Sequence, residues 1–151
     1  MLSRIDSHII AALQRYSIFI ARASLFVVFF WFGILKLFHT SPANPLVEGL
    51  LARTLPFITF PKFILLFGIY EMLIGIIFLL PGFERLAIAL LIPHMITTIL
   101  PLILLPTITW QGLLTPTLEG QYIIKNILII ACAVVVGTRL MPVNPLTRVL
   151  R

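Results

Sequence analysis

Charged residues make up only 11% of this sequence, and just five of them are acidic. A soluble domain carries about a quarter charged residues. Too little polar surface is therefore present to cover a globule in water. Cysteine is nearly absent: Cys132 stands alone, which excludes an internal disulfide and a CxxC redox pair. The chain has no glycine-rich phosphate loop, no metal-ligand cluster, no nucleophile–base–acid pattern and no internal repeat.

What is present is apolar. Hydrophobic residues reach 60%, and the mean hydropathy is +1.13. A bilayer accepts such a chain, because lipid-facing side chains must themselves be apolar. The net charge of +6 does not argue for nucleic acid, since no basic face with interleaved aromatics exists. The basic residues sit between apolar runs, where the positive-inside rule accounts for them.

A helix needs about 20 mostly apolar residues to cross the hydrocarbon. The sequence predicts four such spans: Tyr16 to Phe38, Pro61 to Leu80, Arg85 to Pro106 and Gln121 to Met141. Turn-forming residues separate them at Ser41-Pro42, Asn44-Pro45, Pro81-Gly82 and Pro116. The expected fold is all-α: a polytopic membrane protein built as a four-transmembrane-helix bundle with short interfacial helices. Residues 1–15 are read as an amphipathic interfacial lead-in, 16–141 as one membrane domain, and 142–151 as a short basic tail. A second surface helix is expected in the loop Thr40 to Phe60, and Trp110 is expected to anchor at the interface. The first run is read as a retained span, because no small-x-small cleavage site follows Phe38.

Charge sets the expected orientation. Four spans put both termini and the middle loop on one side, with Arg4, Arg15, Arg22, Arg85, Arg139, Arg148 and Arg151. The other side holds Lys36, Arg53, Lys62 and Lys125. That excess favours cytoplasmic termini.

Ionisable residues inside spans are costly and usually face protein or water. Glu71 sits mid-span, with Gly68 and Gly75 on its face at spacings of three and four. On the first span, Arg22, Phe26, Phe29, Gly33 and Lys36 form one stripe. Gly33, Gly68 and Gly75 are candidate helix-packing glycines. Glu71 and His94 lie at matching depth, near the midplane, with Arg22 about a turn shallower. These three form the candidate intramembrane polar cluster. Glu71 should pair with Arg22 or His94, or take up a proton, and the ion pair with Arg22 is favoured. Lys36, Lys125 and Asn126 are candidate outer-side polar residues, the lysines snorkelling to the interface. The plainer alternatives are that the lysines are only anchors, that His94 only bonds a nearby hydroxyl, and that Cys132 fills space as a small apolar residue. A lone histidine without a second ligand on its face makes a poor metal site, so no metal is assigned.

Four ordered stretches carry a resemblance: Phe30-Trp-Phe-Gly-Ile-Leu-Lys36, Glu71-Met-Leu-Ile-Gly75, Pro81 with Arg85, and Glu119-Gly-Gln-Tyr-Ile-Ile-Lys-Asn126. Their order resembles the DoxX-like family of small four-helix bacterial membrane proteins, and in particular the branch containing the reactive-chlorine-resistance inner-membrane protein. The resemblance spans about Arg22 to Gly137. Arg22, Gly33, Lys36, Glu71, Lys125 and Asn126 carry over; His94 and Cys132 do not. It implies a bacterial inner-membrane component of a redox or oxidative-stress system, with quinone as a possible cofactor and a membrane oxidoreductase or a second copy as partner. Two other functions remain open: a non-enzymatic scaffold or assembly factor, and a small proton-coupled exporter working as a dimer through Glu71.

Overall fold

A computed structural model describes residues 2–140. Helix α1 (Leu2–Leu37) is followed by α2 (Asn44–Thr54), α3 (Phe60–Leu79), α4 (Glu84–Ile99), α5 (Pro101–Leu104) and α6 (Pro106–Thr109). A small antiparallel hairpin, β1 (Trp110–Gly112) and β2 (Thr115–Pro116), leads into α7 (Leu118–Lys125) and α8 (Ile127–Gly137). Four helical stretches are long and apolar enough to cross a bilayer: Ile5–Leu37, Phe60–Leu79, Glu84–Leu104 and Leu118–Gly137. The chain is an all-α membrane protein built on a four-helix bundle.

Helix α1 differs from expectation. The lead-in is not a separate interfacial helix but the first turns of one 36-residue helix. Nothing between Leu2 and the span breaks it, because neither proline nor glycine occurs before Gly33. At 1.5 Å per residue it is about 54 Å long, well beyond the roughly 30 Å of hydrocarbon. The third and fourth spans are interrupted. Pro101 has no N–H to offer the Thr97 carbonyl, and α4 gives way to α5 at Leu100. The fourth span breaks at Asn126, whose N–H turns back to the Ile123 carbonyl at 3.1 Å. The predicted last residue of that span, Met141, and the basic tail with Arg148 and Arg151 lie outside the described residues.

Proline at the first turns of α2 and α3 suits helix starts, where the missing N–H costs nothing. The turn after α3 uses Gly82 at φ +90, a conformation that other residues rarely adopt. Thr117 caps α7 by accepting from Gly120 N at 3.1 Å. The core collects Leu25, Phe29, Ile74, Phe78, Leu91 and Val136 from four helices. Phe19, Trp31, Leu66, Ile103 and Leu128 point outward, as a lipid-facing surface requires.

The most extensive contact joins α1 to α3. It is made by backbones. A Cβ on Gly33 would lie 2.6 Å from the Gly68 carbonyl oxygen, and one on Gly68 would lie 2.8 Å from the Gly33 carbonyl oxygen. A Cβ on Gly75, two turns further along, would lie 3.1 Å from Phe26 and Phe30 backbone atoms. These contacts fix the relative height of the two helices, and with it the site.

Candidate functional site

Lys36 and Glu71 each stand three residues beyond one of the touching glycines, Gly33 and Gly68. Close approach there brings the two side chains together. Lys36 Nζ donates to Glu71 Oε2 at 2.6 Å. The other carboxylate oxygen, Oε1, lies 3.0 Å from Nε2 of His94 on α4. All three are buried, with Lys36 at 3% exposure and Glu71 and His94 at 5% each. One carboxylate thus bridges an ammonium and an imidazole inside the bundle, and each of its oxygens has a different partner.

Aromatic rings close the site. Phe67 stacks on His94 at 5.2 Å with an interplanar angle of 4°, and Phe29 meets it edgewise at 5.1 Å. Lys36 Nζ also sits 5.5 Å above the Phe67 ring. One ring therefore faces both basic groups. Tyr70 donates its hydroxyl to the Leu90 carbonyl at 2.5 Å, three residues before Pro93 of α4. On the far side of His94, Nδ1 lies 3.3 Å from Thr98 Oγ1, and that hydroxyl also reaches the His94 carbonyl at 2.8 Å.

The expected Arg22–Glu71 pair does not form. Arg22 donates instead to the Phe78 carbonyl at 3.0 Å, the Leu80 carbonyl at 3.2 Å and the Glu84 carboxylate. It thereby caps the C-terminus of α3 and pairs with the first residue of α4, and helix-end polarity favours both contacts. Arg22 lies about 21 Å from Lys36 along α1, at 1.5 Å per residue, so it belongs to a separate site. Lys36 also departs from expectation: it snorkels inward, and its long stem lets it do so. Lys125 is exposed and lies 5.4 Å over the Tyr122 ring, and Asn126 marks the helix break; neither joins the Lys36–Glu71–His94 network. Cys132 is half-buried and packs against the core cluster.

Sequence reasoning missed Glu84 as the partner of Arg22, because a turn residue was not weighed beside the midplane acids. It also missed the pairing of Lys36 with Glu71. The signal was present in the sequence as Gly33 to Lys36 and Gly68 to Glu71, the same glycine-to-charge spacing on two helices.

Among the described residues, no group of three His, Cys, Asp or Glu side chains could hold a metal ion. An apolar groove of about 290 Å³ runs between α4 and α8, lined by Leu91, Met95, Ile96, Ile130, Ala133 and neighbours. No protein-family model, curated protein or solved structure matches this chain.

Proposed function

We propose that this chain is a DoxX-like component of a bacterial inner-membrane redox or oxidative-stress system. It works with an oxidoreductase partner rather than through a redox centre of its own, and both termini lie in the cytoplasm. One observation carries this reading: two of the separate stretches that bear the resemblance converge on one buried ion pair, Lys36 with Glu71. Charges held inside a bilayer are expensive and usually mark sites that act. The excess of basic residues near the termini and middle loop supports the orientation.

A quinone ring does not fit the residues of this chain. The groove between α4 and α8 has no polar lining. The nearby Lys36 and His94 both already bond Glu71. The groove suits an isoprenoid tail at most, and polar contacts to a ring would come from the partner.

The test is extraction of a tagged chain from its native membrane in lipid nanodiscs. Co-purification of a flavin- or haem-bearing oxidoreductase is expected. A deletion strain should gain sensitivity to hypochlorite, and a Lys36→Met variant expressed at normal level should not restore resistance. Recovery of the chain alone, with full resistance in the deletion strain, would overturn the reading.

A second reading, a non-enzymatic scaffold, is favoured by the closed form of the network. Every polar atom of Lys36, Glu71 and His94 that is buried has a partner; among the described residues only Asn44 Oδ1 is an orphan. Such a network can serve register alone. A scaffold would keep its function when all three residues are replaced by leucine or methionine, whereas the leading reading requires its loss.

A further inference from the structure

We propose that His94 is a proton-loading site, and that the single hydroxyl hydrogen of Thr98 serves both of its protonation states by swivelling between two acceptors. This rests on the same buried network as the function proposed above. Nε2 of His94 faces a carboxylate oxygen at 3.0 Å and must carry a hydrogen to bond it. The state of Nδ1 is then the only variable. Thr98 Oγ1 lies 3.3 Å from Nδ1 and 2.8 Å from the His94 carbonyl oxygen. With Nδ1 bare, the hydroxyl donates its hydrogen to Nδ1. When a proton adds to Nδ1, the hydroxyl rotates, donates to the carbonyl, and accepts the new Nδ1–H in a lone pair. Neither state leaves a polar atom orphaned, and no heavy atom has to move.

The surroundings suit the loaded state. Glu71 opposes the imidazolium across 3.0 Å, and the Phe67 ring lies parallel to it at 5.2 Å. A cation over an aromatic face is stabilised by the ring's negative face. The charged and titratable groups facing the site are Lys36 from α1, Glu71 and Tyr70 from α3, and Cys132, which α8 brings to the adjoining core cluster. Lys36 and Glu71 cancel, so proton loading changes the net charge of the network from zero to plus one. That change links the site to any negative charge that arrives nearby, which is what a partner carrying electrons would supply. Thr98 stands on the side of His94 nearer Pro101, where the helix break leaves the Thr97 carbonyl without its usual donor. With Nε2 held against Glu71, the proton enters from the Thr98 side.

The experiment uses the full chain with His8→Gln and His39→Asn, which leaves His94 as the one histidine. Asparagine tolerates the left-handed backbone of His39, at φ 58. The protein is labelled with ring ¹⁵N histidine, placed in phosphatidylcholine–phosphatidylglycerol nanodiscs, and followed by NMR across the pH range in which its helical signal persists. At high pH the spectrum should show the neutral tautomer with hydrogen on Nε2. It should convert to imidazolium with a single reversible midpoint. Thr98→Val should lower that midpoint by about one pH unit, since a hydrogen bond to a charged donor is worth more than one to a neutral ring. Thr98→Ser should restore it. A His94 locked in one state across the folded range, a neutral tautomer with hydrogen on Nδ1, or a midpoint unmoved by Thr98→Val would each overturn the proposal. A locked His94 in a chain that still co-purifies with its oxidoreductase would leave the proposed function standing. A titrating His94 in a chain that never does would leave the proton site standing alone.

Discussion

Lys36 Nζ and Glu71 Oε2 lie 2.6 Å apart although 35 residues separate them, and the lysine reaches its partner by turning into the bundle. A lysine at a helix end ordinarily extends its stem outward to water. Here the carboxylate and the Phe67 ring offer it a better seat inside.

Glu71→Gln leaves the Lys36 ammonium buried without its counter-charge. Breaking a buried pair by removing one partner costs on the order of 3 kcal/mol. The thermal midpoint in detergent, followed by tryptophan fluorescence, should fall accordingly. Adding Lys36→Met should restore most of the loss. Adding Arg22→Gln should not, because Arg22 pairs with Glu84. Rescue by Arg22→Gln would contradict the arrangement.

Gly33→Ala forces a methyl to within 2.6 Å of the Gly68 carbonyl oxygen and of Met72 Cγ. The backbone cannot yield locally, so α1 and α3 must separate. Overpacking of this kind costs about 1–3 kcal/mol. Gly137→Ala is the control, since its methyl would meet only Ile88 Cδ1 at 3.4 Å. Equal thermal midpoints for the two variants would exclude the close approach.

Much of this was legible in the sequence, and the reasons for the rest are physical. The four spans could be read because twenty apolar residues in a row have few other homes. The shared depth of Glu71 and His94 followed from counting residues along straight helices. The direction of Lys36 could not be read that way, because a four-carbon stem covers more than a helical turn either way. Its choice depends on how closely Gly33 and Gly68 approach, which is a tertiary fact. The partner of Arg22 was hidden for a similar reason. Glu84 becomes its neighbour only once the Pro81-Gly82 turn folds α4 back beside α3.

Arg22→Met should loosen that turn. It removes two carbonyl contacts and an ion pair at once. Hydrogen bonds to charged groups are worth about 1.5–3 kcal/mol each at most, so a loss of about 2–3 kcal/mol is expected. Arg22→Lys should recover little, because one ammonium lacks the guanidinium fork. Limited proteolysis at Phe83 in detergent should speed up in both variants; unchanged cleavage would count against the clamp.

Cys132 should resist a water-soluble maleimide in intact membranes. It packs against the core cluster inside an apolar span that a water-soluble reagent does not enter. Labelling within seconds would reveal a water path through the bundle and would support proton-coupled export over a redox role.

The α3–α4 turn and the β1–β2 hairpin should lie on opposite sides of the membrane. Leu113 at the hairpin tip is 93% exposed, so an epitope placed there touches only the hairpin turn. Tags after Gly82 and after Leu113 should react with antibody from opposite faces of sealed vesicles. Reaction of both from one face would rule out four spans.

The ion pairs also impose a timetable on biosynthesis. Helix α1 leaves the ribosome before α3 and α4, carrying Arg22 and Lys36, whose partners follow 62 and 35 residues later. Alone in hydrocarbon, each cation would cost up to about 2.5–3.5 kcal/mol on the insertion scale for a helix centre. The first span therefore gains a stable seat in lipid only as one arm of a hairpin with α3. Its Arg22 end settles later still, when Glu84 emerges. The insertion machinery must hold α1 at its lateral opening until the second arm arrives.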